Sequence, residues 1–348
     1  MQVLSTAKDI RALSKTALKE EFSVMGEKAF RGNQVYEWLW KKGAHSFDEM
    51  TNLSKDLREK LKLNFAIFPI QVEDKQISND KTIKGSFRLS DGKLIEGVLI
   101  PAEDRMTACV SSQVGCSLGC KFCATGKMGR IRNLSVGEIY DQVIAIRNWA
   151  NEYYNMPLTN IVFMGMGEPL LNYANVISAI DKITSEDGLN MASDRITVST
   201  AGIAKMIRKM GDDAVKFNLA LSLHAANDSK RNQIMPINES NDLDSILEAL
   251  AYFRSKVKGK LTYEYIAFKD FNESIDDAKE LVKICKKVPA KVNIIEYNPI
   301  GEEGFAKADS NKINLFQNYL DKHGITATIR RSRGKDIDAA CGQLANKK

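Results

Sequence analysis

The rhythm of apolar and polar positions changes at about residue 70. Before that point apolar residues recur every three to four positions, the period of an amphipathic helix. Ser14 is placed to cap a helix running through Glu21–Phe22, Gly32 interrupts the next pattern, and Val35, Trp38 and Leu39 resume it. Ser46 and Ser54 stand where caps belong for short helices carrying Phe47, Met50, Leu57 and Leu61, and Pro69 closes the region. From Ile70 onward the signal is of strands. Ser86–Leu89 and Leu94–Ile100 flank Asp91-Gly92, a tight-hairpin dipeptide. Further strands are predicted at Thr107–Ser111, Asn160–Met164, Arg195–Ser199, Lys216–Leu223, Thr262–Phe268, Lys291–Tyr297 and Thr326–Arg330. Helical patterns fill the gaps at Val136–Tyr153, Tyr173–Thr184, Ile203–Met210, Leu243–Val257, Ile275–Lys287 and Lys312–His323.

Seven strands alternating with six helices predict a parallel α/β sheet. A closed barrel of this kind needs eight units, so the expected fold is an open, partial (βα)6-type barrel behind a small N-terminal helical domain. The expected division is a helical unit at 1–68, a β-hairpin extension at 69–101, the α/β core at 102–335 and a tail at 336–348. Residues 332–348 carry no clear element, and no internal repeat interrupts the pattern.

Composition narrows the class. The 348 residues are 44% hydrophobic and 27% charged, as in folded globular chains. No apolar run approaches the roughly 20 residues of a membrane helix, and Met1–Ile10 lacks the apolar core of a signal peptide. Six cysteines, three of them clustered, suit a reducing cytoplasm better than a disulfide scaffold. Nothing in the sequence demands more than a monomer.

The net charge of +6 is unevenly placed. Arg105–Arg132 holds five basic residues and no acid, and Arg330–Lys348 holds six basic residues against two acids. This excess either compensates an anionic centre or faces a phosphate-rich substrate. In the helical region Phe30, Tyr36, Trp38 and Trp40 interleave with Lys28, Arg31, Lys41 and Lys42, a mixture that serves either RNA or a core.

The candidate chemistry centres on Cys116-Ser-Leu-Gly-Cys120-Lys-Phe-Cys123. Thiolates are soft ligands for zinc or iron–sulfur clusters, and three on a four-iron cubane leave one iron open. A zinc site completed by a distant residue is the alternative; His45, His224 and His323 are the only histidines. The spacing, with an aromatic before the last cysteine, resembles the radical S-adenosylmethionine (SAM) signature. In that superfamily the open iron chelates the amino and carboxylate groups of SAM.

Functional groups of parallel barrels gather at the C-terminal ends of strands. There the chain offers Gly165-Met-Gly167-Glu168-Pro169, then Ser199, then Ser222-Leu223-His224, then Asn298. Glycines admit a ligand close to the backbone and Glu168 can accept from an ammonium group, although capping or turn roles serve such residues equally well. Cys285 lies on an apolar helix face and reads as core. Cys109 lies within a strand, Cys341 among small residues of what reads as a flexible tail, and Glu96 within the Leu94–Ile100 alternation.

Glu96, Cys109 before Val-Ser-Ser-Gln-Val-Gly-Cys116, Met-Gly-Glu-Pro, Ser-Leu-His and Ala-Ala-Cys341-Gly-Gln-Leu occur in that order. Together they resemble the bacterial dual-specificity RNA adenine-C2 methyltransferase family, from the N-terminal helices to the tail. The C8-methylating relatives share these motifs, and a non-catalytic zinc-containing RNA-binding protein is the alternative of another class. The resemblance implies one [4Fe-4S] cluster on Cys116, Cys120 and Cys123, and two SAM molecules per turnover. It implies SAM contacts at Gly167, Glu168, Ser199, Ser222, Leu223, His224 and Asn298. The substrates it implies are 23S ribosomal RNA and transfer RNA, with flavodoxin or ferredoxin as reductant. By the same resemblance Cys341 accepts a methyl group, a 5′-deoxyadenosyl radical activates it, Cys109 resolves the RNA adduct as a disulfide forms, and Glu96 is the proton acceptor. The basic stretch Arg105–Arg132 is expected to favour a thiolate at Cys109.

Overall fold

A computed structural model of the chain describes residues 8–301 and 304–346; the expected boundaries at residues 1 and 348 therefore lie outside the described residues. A two-residue strand, β1 (Lys8–Asp9), pairs with β2 (Phe65–Ala66) and brackets three helices, α1 (Lys15–Val24), α2 (Phe30–Glu37) and α3 (Lys55–Asn64). Ser14 and Ser54 cap α1 and α3 as predicted, accepting from Ala17 N and Leu57 N. The interleaved aromatics divide. Trp40 and Tyr36 are buried in the core, whereas Phe30 is exposed beside Arg31, and Trp38 carries Lys42 over its ring at 3.7 Å.

One sheet of ten strands follows. Three run antiparallel: β3 (Gln71–Ile77), β4 (Ile83–Arg88) and β5 (Leu94–Ala102). β6 (Arg105–Cys109) pairs antiparallel with β5 and parallel with β9 (Asn160–Phe163). A separate hairpin, β7 (Gln113–Cys116) and β8 (Gly129–Asn133), lies between them with the short α4 (Ala124–Lys127) at its turn. The parallel series continues through β10 (Ile196–Thr200), β11 (Asn218–Ser222), β12 (Leu261–Ala267), β13 (Lys291–Glu296) and β14 (Ala327–Arg330). The helices between them are α5 (Val136–Tyr154), α6 (Tyr173–Thr184), α7 (Ala204–Asp212), α8 (Asp228–Ile234), α9 (Leu243–Lys256), α10 (Ile275–Lys287) and α11 (Ser310–Lys322). β14 and β3 end the sheet without pairing to each other, so the barrel is open as expected. No helix among the described residues is long and apolar enough to cross a membrane.

The predicted hairpin gains a third strand, β3, and all three join the parallel sheet. Trp149 of α5 packs over this antiparallel edge, its ring stacked on Phe87 at 5.5 Å. Gly85 makes that contact possible, because a Cβ there would stand 2.2 Å from the Trp149 ring.

Asp141, 3% exposed on α5, ties the N-terminal helices to the sheet. It accepts from Arg11 Nη1 at 2.8 Å and from Ile70 N at 3.2 Å, while Arg11 Nη2 donates to Phe68 O. Removing one member of such a pair strands the other charge in a dry site. Arg11→Met is therefore expected to cost roughly 3–5 kcal/mol of stability, and adding Asp141→Leu should recover much of it. The shift of the urea-unfolding midpoint, followed by tryptophan fluorescence, measures both.

Candidate functional site

Cys116 ends β7, Cys120 follows the left-handed turn at Gly119, and Cys123 precedes α4. All three line one open cavity of about 160 Å³ at the C-terminal mouth of the parallel strands. Burial pushes the Cys116 thiol up to about 11, with Glu168 and Cys123 adding to the rise. Burial raises Cys120 and Cys123 as well, and Cys120 is raised further by Cys123 and Cys116. Three sulfurs that disfavour one another's ionisation need a cationic centre to hold them as thiolates. A lone zinc gathers its sulfurs at about 2.3 Å from one point, whereas each cysteine of an iron–sulfur cluster ligates its own iron. Three cysteines lining one cavity, Cys116 buried and Cys120 and Cys123 partly so, fit the cluster.

Arg231 of α8 lies behind this cavity with no exposed surface. Its guanidinium donates to the carbonyls of Leu223, Ala201 and Ser222 and to Asn238 Oδ1. Among the described residues no carboxylate makes an ion pair with it; Asp228, which accepts from Asn238 Nδ2 at 2.7 Å, offsets its charge only from a distance. Burial pushes this guanidinium down to about 10, and Cys120 is the group that most strongly pulls it back up. A buried charge without a partner is costly, and an anionic thiolate cluster beside Cys120 supplies the missing one.

On the opposite wall, Gly167 (φ 100°) stands where a Cβ would meet Gln113 at 2.5 Å, so the turn after β9 tolerates only glycine there. Glu168 accepts from Ala201 N at 2.8 Å and Leu170 N at 3.0 Å, and burial pushes its carboxyl up to about 6. Ser199 and Ser222, on adjacent strand ends, have hydroxyls 3.3 Å apart. His224, in the left-handed region (φ 57°), accepts from Ile266 N through Nδ1 and packs edge-on against Phe122. Burial pushes it down to about 3, so it is a neutral imidazole with its proton on Nε2.

Gly167, Glu168, Ser199, Ser222 and His224 all line the cavity. Leu223 and Asn298 do not. The Leu223 side chain is core, leaving only its backbone to the site, and Asn298 donates to Cys341 O at 3.2 Å.

A second cavity, about 110 Å³, adjoins the first. Cys109, Arg330, Arg331, Arg333 and Cys341 line it, and Cys341, Cys123, Thr125, Met164 and Gly165 belong to the walls of both. The tail carrying Cys341 is docked rather than loose, contrary to its reading as flexible. Ala340 and Leu344 are buried, Ala124 N donates to Gly342 O at 2.8 Å, and Thr125 Oγ1 donates to Leu344 O. Cys341 is exposed, but toward the cavities; dense surroundings raise its thiol, with Arg330 pulling against the rise.

Burial pushes Cys109 up to about 12, and Cys341 adds to this. The cation that opposes the rise is Arg330, not the Arg105–Arg132 stretch. Arg132 of that stretch is taken up by Glu138 and Asp91. Glu96 lines neither cavity; its carboxylate receives Ala345 N and Asn346 N of the tail. Cys285 is buried, as predicted. Arg231 and Arg330 escaped the sequence reading, although Arg330 had a usable signal as a basic residue ending a parallel strand.

Residues 8–67 match the Ribosomal RNA large subunit methyltransferase N-terminal domain, and residues 110–283 match the Radical SAM superfamily. The chain is 61% identical to a probable dual-specificity RNA methyltransferase RlmN of Cytophaga hutchinsonii, over 100% of this chain and 96% of that one. It is 42% identical to the dual-specificity RNA methyltransferase RlmN of Nautilia profundicola, over 95% and 96% of the two chains. Among solved structures, a radical SAM methyltransferase from Sphaerobacter thermophilus superposes with a TM-score of 0.92 at 38% identity, covering 98% of this chain and all of that one. With the cavity, its three sulfurs and these full-length matches together, the chain belongs to the dual-specificity RNA methyltransferases of the radical SAM superfamily.

Proposed function

We propose that this RNA methyltransferase places its methyl group on C2 of adenine, in 23S ribosomal RNA and in transfer RNA, and that Cys341 carries the group. The observation that carries the reading is the position of Cys341 in the wall shared by the two cavities. One cavity holds the three cluster cysteines; the other joins Cys109 to Arg330, Arg331 and Arg333, a lining suited to a phosphate-bearing nucleotide.

C2 of adenine bears a hydrogen that is not acidic, so polar methylation has no starting anion. Bound at Cys116, Cys120 and Cys123, the cluster supplies one-electron reductive cleavage of SAM and so a means of taking a hydrogen atom. Glu168, with Gly167 admitting the ligand, accepts from the methionyl ammonium, and Ser199, Ser222 and the neutral His224 offer hydrogen bonds to the remaining polar groups. The Cys341 sulfur, losing its proton, takes a methyl group from one SAM, which leaves as S-adenosylhomocysteine, and becomes a thioether. Loss of a hydrogen atom from that methyl leaves a carbon radical on the Cys341 side chain, which bonds to C2. The C2 proton then passes to water, and the adduct radical gives up one electron, for which the cluster held at Cys116, Cys120 and Cys123, oxidised by the cleavage of SAM, would be the acceptor. The Cys109 thiolate attacks the Cys341 sulfur; the sulfur–carbon bond breaks with its electron pair on carbon, which is protonated to the methyl group. Cys109 and Cys341 are left as a disulfide, to be reduced before the next turnover. Both this disulfide and the cluster require electrons, for which a flavodoxin or ferredoxin-type donor is suited. Six free cysteines support action in the reducing cytoplasm. The N-terminal unit, 1–68, presents Phe30 with Arg31 and Trp38 with Lys42 as a further RNA contact.

Nucleoside mass spectrometry of RNA treated with the reconstituted enzyme and a reductant should find 2-methyladenosine; 8-methyladenosine in its place would overturn the C2 assignment. Cys341→Ala should abolish the product, and Cys109→Ala should leave RNA covalently attached to protein on denaturing gels. Because Cys109 is held near 12, its thiolate fraction grows throughout the working range. Release of the RNA adduct should therefore accelerate by roughly tenfold per pH unit between pH 7 and 9. Replacing Arg331 and Arg333, both exposed in the second cavity, by Gln should weaken RNA binding and shrink the slope of log K against log salt by about 2.

A further inference from the structure

Glu96 lies near the start of β5, opposite Ser86 of β4, and only 2% of its surface is exposed. Its Oε2 accepts from Ala345 N at 2.8 Å and from Asn346 N at 3.1 Å, and its Oε1 lies 3.5 Å from the buried Lys84 Nζ. Asn346 closes the contact by donating from Nδ2 to Leu94 O at 2.8 Å. The strand position is itself fixed, because Ser111 Oγ donates to Glu96 O at 2.6 Å. A general base must come within about 3 Å of the proton it takes. This carboxylate instead faces tail backbone and an ammonium group, outside the walls of both cavities.

We propose that Glu96 is a positioning residue: with Lys84 it clasps the tail backbone at Ala345 and Asn346 and thereby sets where the Cys341 sulfur stands between the two cavities. The clasp lies four and five residues beyond Cys341, and it is the last hold on the chain among the described residues. Two N–H groups on one buried carboxylate oxygen make charge-assisted hydrogen bonds, stronger than ordinary ones. Upstream the tail is held at Asp336 by Ser78 Oγ and Asn79 N, and from Cys341 onward it otherwise rests on single contacts with Ala124, Thr125, Asn298 and Pro299.

The inference rests on Cys341 as methyl carrier, and its test reads tail docking separately from carriage. Enzyme purified without its cluster and reconstituted in the absence of SAM is treated anaerobically with iodoacetamide, and labelling of Cys341 is timed by peptide mass spectrometry. RNA methylation is measured in parallel. Glu96→Ala should raise the labelling rate several-fold and lower methylation by at least about tenfold. Glu96→Gln, whose amide oxygen accepts the same two N–H groups, should stay within about threefold of the parent in both. Lys84→Met combined with Glu96→Gln removes the ammonium that the single variant strands. Ala345→Pro, which deletes one donor and leaves the carboxylate intact, should raise labelling as Glu96→Ala does. Loss of methylation in Glu96→Gln equal to that in Glu96→Ala, with Cys341 labelling unchanged in both, would overturn the clasp in favour of a proton-transfer role. Labelling that rises as expected in an enzyme whose Cys341 never acquires a methyl mass would uphold the clasp and overturn the carrier.

Discussion

A guanidinium without access to water, surrounded by three carbonyls and an amide oxygen, sets the terms for the rest of the site. Arg231 joins the ends of β10 and β11 by donating to Ala201, Ser222 and Leu223, and it approaches the cysteine loop through its own helix, where Ile234 O receives Lys121 N. These neutral oxygens satisfy its hydrogen bonds but not its charge. The strand ends that form one wall of the cavity and the loop that forms the other are thus arranged around a cation that Asp228 offsets only from a distance and that an anionic cluster on the cysteines would complement. Burial acts in opposite directions on the two partners, favouring neutral sulfurs and a neutral guanidine. Placed together, each lowers the cost of ionising the other.

The antiparallel strands give the parallel sheet what its repeating units do not. β5 bears Glu96 and packs against α5, and α5 bears Asp141, on which the N-terminal helices are fastened. The two ends of the chain are therefore attached to one structural layer. The N-terminal helices meet it through Arg11 and the tail through Ala345 and Asn346.

Elements with buried faces were legible in the sequence. All seven parallel strands and the six principal helices stand where their apolar runs put them, with ends displaced by a residue or two. β3 was not, because Gln-Val-Glu-Asp-Lys-Gln-Ile is an edge strand exposed along most of its length and has no apolar alternation to read. α8 was hidden for a related reason: of its seven residues only Arg231 and Ile234 are buried, and one of those is charged. The β7–β8 hairpin is short and glycine-containing, with little but Val114 in the core. In the site, the cysteine spacing and the glycine turn were local signals and survived. Leu223 sits in the same motif as Ser222 and His224, yet its side chain points away from the cavity, a distinction that needs the strand's pleat. The tail's docking depends on partners up to some 250 positions away, so no local pattern announces it.

The backbone around Cys341 is held before it by Ala339 N on Gly334 O and Ala340 N on Gln343 Oε1, and from it onward by Asn298 at its own carbonyl, by Ala124 at Gly342 and by Gln343 against Pro299. With the main chain fixed, the sulfur has one freedom left, rotation about its own side-chain bond. In the carrier role proposed for it, Cys341 is a turnstile set in a partition. A group on its sulfur would cross from one chamber to the other by a single torsion, with no segment of the protein swinging open to the surrounding water.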